Sequence, residues 1–465
     1  MNMINVRRLT VMTFLGAGML SGISAQVSPL QVDTLKETKI PDQWDLQSCI
    51  DYAKEQNITI RKNRITAVST QIDAKPAKAA LFPSLSFSTG HQVVNRPYQE
   101  TSSRVSGSEI ISSNSKTSYN GNYGLNASWT LYNGNKRLKT IQQEKLNNQM
   151  AELDVATSEN NIQESIAQVY IQILYAAESV KVNENTLQVS IAQRDRGQEL
   201  LNAGSIAKSD LAQLEAQVST DRYQLVTAQA TLEDYKLQLK QLLELDGENE
   251  MNIYLPALSD ENVLAPLPTK RDVYISALSL RPEIEASKLN VEASELGINI
   301  AKSSYFPTIS LSAGIGTNHT SGSDFTFGEQ VKNGWNNSIG LSVSVPIFNN
   351  RQTKSAVQKA KLQYETSMLS LLDEQKALYK TIESLWLDAN SAQQRYAAAN
   401  EKLKSTQISY ELISEQFNLG MKNTVELLTE KNNLLQAQQE QLQAKYMAIL
   451  NTQLLKFYQG DQLAL

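Results

Sequence analysis

A single cysteine stands in 465 residues. It excludes a disulfide framework within the chain and any multi-cysteine zinc or iron–sulfur site. The histidines are two, His91 and His319, which leaves little for a histidine-based metal site or proton shuttle, and no cofactor is expected. Glycine (20) and proline (11) are both scarce, against collagen-like, linker-rich or turn-dense β architectures over most of the length. Positive charge is in deficit. The formal net charge is −5, where a nucleic-acid binder would show a basic face. Nucleophile elbow, phosphate loop and HExxH are all missing, so no enzyme is expected. Carboxylate pairs such as Asp195 and Glu199 have the spacing of a solvated helix face.

Long apolar runs are scarce too. Leu9 to Leu20 follows Arg7 and Arg8 and is too short to cross a bilayer permanently. Small residues come next, with Ala25 as the last before a cut, so residues 1–25 read as a signal peptide. Cys49 lies far beyond that run and reads as a small buried residue of a helix. No later stretch reaches the roughly 18 apolar residues of a membrane helix. The mature chain is expected to be exported, either soluble or in a membrane as a β-barrel.

What the chain does have is a duplication. Ala77-Lys78-Ala79-Ala80-Leu81-Phe82-Pro83 and the alternation after it line up with Ala301-Lys302-Ser303-Ser304-Tyr305-Phe306-Pro307 and its continuation. Gly124-Leu125 to Tyr132-Asn133 lines up with Gly340-Leu341 to Phe348-Asn349, and Asn202-Ala203-Gly204 with Asn418-Leu419-Gly420. The first repeat spans 26–245: a helix at 45–81, a hairpin at 82–133, and long helices at 134–202 and 205–245. A Pro-containing linker covers 246–270. The second repeat spans 271–465: a helix at 271–305, a hairpin at 306–349, and helices at 350–419 and 422–458. Each first helix is expected to end at Phe-Pro, where proline forbids continuation. The Ser, Asn, Thr and Gly-rich interval 95–122 reads as an exposed hairpin loop.

Period-two alternation marks the strands. Leu85, Phe87, Leu125 and Trp129 of the first repeat, and Ile309, Leu311, Leu341, Val343 and Val345 of the second, form the apolar side. Ser, Asn, Thr and Gly form the other. Isolated hairpins are marginal in water, and nothing else in the chain is β-like enough to cover these. An apolar outer face with a polar inner face suits a membrane barrel. Four strands cannot close one, so several chains must contribute; three would supply twelve strands. The helical runs of about 70 residues would each be roughly 100 Å long, the length of coiled coils rather than of globular helices.

These residues resemble the TolC-type outer-membrane channel family over nearly all of the mature chain. The markers are the doubled helix–Phe-Pro–strand junction, Leu-Tyr-Asn-Gly-Asn (131–135) with Ile-Phe-Asn-Asn-Arg (347–351), Arg281-Pro282-Glu283-Ile284, and the two glycine reversals. The resemblance implies a mainly α fold with a small β part: a long antiparallel helical coiled-coil tunnel joined to a trimeric 12-stranded barrel. It implies a homotrimer in the outer membrane of a Gram-negative bacterium, in contact with outer-membrane lipid. A periplasmic adaptor and an inner-membrane transporter would dock on it. The expected function is the passive exit duct of a tripartite efflux pump. The alternatives are the outer-membrane part of type I protein secretion and, in another class, an exported coiled-coil scaffold or adhesin.

The resemblance also assigns site residues at the reversals. Glu426 takes the place of an acid ringing the periplasmic aperture. Phe417 and Lys422 stand where the family's best-known form has a tyrosine and an arginine, with Ser209 and Asp210 as their partners. Phe417 has no hydroxyl to donate, and Lys422 lacks the arginine fork. Gly204 and Gly420 mark the reversals where the adaptor would dock. The competing reading is helix capping: Ser209, and Thr424 or Asn423, as caps, with Asp210 and Glu426 in first turns that favour acids.

Overall fold

The computed structural model describes residues 41–98, 102–106, 109–113, 116–246, 251–256, 263–321 and 325–463. The expected signal peptide at 1–25 lies outside them. Elements run in the order α1 (Leu46–Gln56), α2 (Ile58–Ala79), β1 (Ser84–Asn95), β2 (Ser102–Ser106), β3 (Glu109–Ser113), β4 (Thr117–Asn133), α3 (Lys136–Asn202) and α4 (Lys208–Leu242). The second repeat follows as α5 (Lys270–Leu280), α6 (Pro282–Ser303), β5 (Thr308–Thr320), α7 (Phe327–Asn333), β6 (Asn336–Ser344), α8 (Gln352–Asn418) and α9 (Thr424–Gln459). α3 and α8 have 67 residues each, about 100 Å at the helical rise. No helix among the described residues is long and apolar enough to cross a membrane.

Each long helix has partners along its whole length. α3 packs on α2 and α6 over one stretch and on α4 over the other; α8 packs likewise on α6 and α9. The largest core sits between, where Ile166, Tyr170 and Leu174 of α3 meet Cys49 and Ile50 of α1, Leu239 of α4 and Ala448 of α9. Burial pushes the Cys49 thiol up to about 12, so it is an inert packing group. The described part of the linker is held here. Trp44 and Ile253 form a parallel bridge, and the Tyr170 hydroxyl donates to the Tyr254 carbonyl at 2.6 Å.

A four-stranded antiparallel sheet runs β1-β4-β5-β6, so the two repeats meet at β4 and β5. In register, Leu85 faces Ala127, Phe87 faces Leu125, Trp129 faces Leu311, Leu311 faces Leu341, and Ile309 faces Val343. Cross-strand partners share a face, so these side chains form one apolar surface. Ser84, Ser128 and Ser312 line up on the opposite face, as do Ser310 and Ser342. The chain passes from β4 to α3, and from β6 to α8, through two left-handed residues each, Gly134-Asn135 and Asn350-Arg351. At Gly134 a Cβ would come within 2.6 Å of the Ser303 carbonyl, so glycine is needed for space as well as for φ.

Several expected boundaries are corrected. The helix at 45–81 is two helices. Asn57 leaves the helical region (ψ 127°), and its side chain accepts from the Thr59 and Ile60 amides to start α2. α2 stops at Ala79, ahead of Pro83. The helix at 271–305 breaks at Arg281 (ψ 124°), because Pro282 excludes the helical region for the residue before it. The buried Arg281 guanidinium pairs there with Glu164 (2.6 Å) and Glu283 (3.1 Å). The loop at 95–122 is largely strand: β4 begins at Thr117, and β2 pairs with β3 inside the interval. Val345 lies beyond the sheet, since β6 ends at Ser344 and Pro346 has no N–H for the ladder.

Candidate functional site

The long helices turn back at their ends remote from the sheet. Both turns have the same hydrogen bonds. Gly204 N–H donates to the Leu201 carbonyl and Ser205 N–H to Leu200; Gly420 donates to Phe417 and Met421 to Gln416. This is a Schellman motif, and its left-handed residue is Gly204 (φ +76°) or Gly420 (φ +74°). An added Cβ at either glycine meets nothing within 4 Å. Backbone conformation alone calls for glycine here.

The side chains after the turns differ. α4 has Ala207 as its N-cap, and the Asp210 carboxylate accepts from the Ala207 amide at 3.0 Å. Ser209, expected as a possible cap, is not the N-cap residue; it lies exposed in the first turn. α9 has Asn423 as its N-cap, whose side chain accepts from the Glu426 amide at 2.9 Å, while Glu426 accepts from the Asn423 amide at 3.2 Å. Lys422 Nζ stands 2.5 Å from Glu426 Oε1. The Lys422 ammonium first, and the Asn423 N–H second, hold the Glu426 carboxyl below the usual glutamate range. Phe417 is buried, packed between Leu214 of α4 and Leu427 of α9. It joins the two helix pairs through apolar contact.

One cluster near the turns was not anticipated. Lys431 of α9 donates to Asp221 of α4 and to Ser190 of α3, and all three residues are buried. Ser190 also donates to Asp221, and Gln217 Nε2 donates to its other oxygen at 2.9 Å. Burial pushes the Lys431 ammonium down, and the Asp221 carboxylate opposes that. A signal for it was present. The buried residues Leu211, Leu214, Val218 and Asp221 run at three-four spacing, as do Thr424, Leu427 and Lys431. An acid and a base therefore each occupy a seam position, where a polar residue sets helix register.

Nothing in this arrangement carries covalent chemistry. Among the described residues, no three His, Cys, Asp or Glu side chains cluster as a metal-ligand set. What the geometry offers is a four-stranded sheet with one apolar face and two long helical hairpins, the second of whose tips is held by an ion pair and a buried phenyl ring.

Comparisons with known proteins agree with that layout. The family model described as "Outer membrane efflux protein" matches residues 49–244 and 273–460, one match per repeat. Outer membrane efflux protein BepC of Brucella suis is 24% identical over 294 residues, 63% of this chain and 61% of the relative. Outer membrane protein TolC of Escherichia coli K12 is 24% identical over 294 residues, 61% of this chain and 58% of the relative. The match thus spans less than two thirds of either relative's length. Among solved structures, CusC superposes with a TM-score of 0.76 at 19% identity, covering 90% of this chain and 92% of that one. VceC of Vibrio cholerae gives 0.73 at 16% identity, covering 90% and 97%.

Proposed function

Because the chain belongs to the outer membrane efflux protein family, and so is an outer-membrane channel component rather than an enzyme, we propose that it forms the exit duct of a tripartite efflux pump. The observation that carries this is the sheet. It has one apolar face, and among the described residues its outer strands β1 and β6 are open edges. Backbone groups at membrane depth must be paired, so spanning sheets close into barrels. Three copies close twelve strands edge to edge, an even number within the known range. Leu85, Phe87, Leu125, Trp129, Ile309, Leu311, Leu341 and Val343 then face lipid, and the serine rows face a water-filled lumen.

The long helices carry the duct about 100 Å into the periplasm. The two reversals lie at its inner mouth, where a periplasmic adaptor bound to an inner-membrane transporter meets it. Gly204 and Gly420 mark the docking tips. Asp210, Ser209, Phe417, Lys422 and Glu426 surround the aperture. The duct is passive, and its partners choose the cargo. Small molecules are the cargo favoured here.

Affinity purification from mild detergent tests the assembly; a trimer with a co-eluting adaptor and transporter is expected. Deletion should raise intracellular accumulation of dyes and antibiotics. Loss of an exported polypeptide with unchanged accumulation would instead point to type I secretion. A monomer that stays in solution without detergent would overturn the duct and favour a coiled-coil scaffold or adhesin. In planar bilayers, Lys422→Ala should raise cation selectivity by freeing the Glu426 carboxylate, and Glu426→Gln should lower it. Unchanged selectivity in both would remove Glu426 from the pore.

A further inference from the structure

Gly121 of β4 has a histidine on each side. His91 of β1 and His319 of β5 both pair with it in register, so one comes from each repeat. No side chain separates them, and the two rings lean over the glycine with centroids 6.5 Å apart. A Cβ placed on Gly121 would meet His319 first at Cε1 and then at Nδ1 (2.6 Å), and His91 at Nδ1 (3.1 Å). Both Nδ1 atoms thus border the space over the glycine.

The surroundings suit a ligand site. His319 is 8% exposed, and its Nδ1 has no hydrogen-bond partner among the described residues. A buried orphan nitrogen of this kind calls for an explanation. The Tyr119 hydroxyl lies 2.8 Å from His91 Nδ1, and Thr89 Oγ1 lies 3.2 Å from His91 Nε2. With Thr89 accepting the Nε2 proton, His91 Nδ1 accepts from the Tyr119 hydroxyl, and a metal ion would take that proton's place, with Thr89 as the second-shell partner of the histidine. Tyr123 stacks on His319, and Phe327 of α7 meets it edge-on at 5.0 Å. These rings wall the site on the apolar face, near the hairpin end of the sheet.

We infer that the space above Gly121 binds one divalent late transition-metal ion, Zn²⁺ or Cu²⁺, through His91 Nδ1 and His319 Nδ1, with the Tyr119 oxygen as third donor. Two imidazoles and a phenol are borderline donors that suit these ions rather than Mg²⁺ or Ca²⁺. Bonding at about 2.0–2.1 Å asks the His319 ring to turn so that Nδ1 replaces Cε1 over the glycine. The ion ties β1, β4 and β5 together and so staples the first repeat to the second. The sequence offered two histidines more than two hundred positions apart; the β4–β5 pairing brings them together.

The test is titration calorimetry with ZnCl₂, and separately CuCl₂, on the full-length protein in detergent after EDTA treatment. One ion per chain is expected. Binding should weaken by about tenfold or more in His91→Gln and in His319→Gln. It should also fall in Gly121→Ala, whose methyl would push the His319 ring away from the shared space. Mg²⁺ should not bind. Far-UV circular dichroism establishes that each variant is folded, and the two glutamine variants carry the test if Gly121→Ala is not. Absence of Zn²⁺ and Cu²⁺ binding by the folded wild type would overturn the site. So would undiminished binding in the folded His91→Gln/His319→Gln double variant.

Discussion

At the first reversal, the helix after the turn starts from Ala207, whose methyl offers no acceptor, and only the Asp210 carboxylate reaches back to the cap amide. At the second it starts from Asn423, in a reciprocal box with Glu426 that Lys422 braces. The backbone turns are alike to within a few degrees at their glycines, φ +76° and φ +74°. The packing also differs, since Phe417 is buried and its repeat counterpart Leu201 is partly exposed. Duplication has kept the turn and let the side chains diverge. The second tip holds itself together by local polar contacts and by a ring set against the other helix pair, while the first is held by fewer bonds.

Four measurements break or sharpen that difference. The largest effect belongs to the cluster joining both hairpins. Asp221→Ala leaves the Lys431 ammonium buried and unpaired and should cost about 3–5 kcal/mol, read as a lower midpoint in thermal unfolding followed at the helical band. An Asp221→Leu/Lys431→Met pair should recover most of the loss, because apolar replacement of a buried pair is often near neutral. Phe417→Ala comes next, at about 3 kcal/mol, with faster hydrogen exchange in both α4 and α9; Leu201→Ala should cost less and act on the first tip alone.

Capping gives a smaller, directional test. Asn423→Ala should destabilise the start of α9 by about 1 kcal/mol, and Ala207→Asn should stabilise the start of α4 by a similar amount. Local exchange at the first-turn amides distinguishes the two. The smallest effect is pH-dependent. The folded-state pKa of Glu426 is depressed, so its contribution is present above the unfolded carboxyl pKa and is lost as pH falls through the folded value. Proteolysis at the second tip should therefore accelerate on acidification, and Glu426→Gln should flatten that response.

Local chemistry made much of the fold legible. Period-two alternation exposed the strands, and Gly204 and Gly420 marked turns that need a left-handed residue. Pro282 offered a break at Arg281 that a single helix over 271–305 passed over. Asn57 was harder to read, because an asparagine in a helical run looks like a surface residue until its side chain caps the next segment. At the tips, the capping roles of Asp210 and Glu426 were readable from first-turn acids, whereas the Lys422–Glu426 pair required the side chains. Lys431 and Asp221 were readable only by someone tracking the three-four seam and asking why it carried charge. His91 and His319 were hidden by a nonlocal cause: hairpins pair neighbours in sequence, and these residues meet through pairing between repeats.

The sheet's two open edges bear on timing as well as architecture. Among the described residues, β1 and β6 each keep one row of N–H and C=O groups without a strand partner. A newly exported protomer therefore arrives with adhesive borders and an apolar flank, the condition in which strands join wrong partners. If it closes as the proposed trimer, its survival depends on how fast it meets its own kind, and maturation should slow steeply as export is throttled. Scarcity, rather than overproduction, would then lengthen the period in which periplasmic proteases find an unfinished subunit.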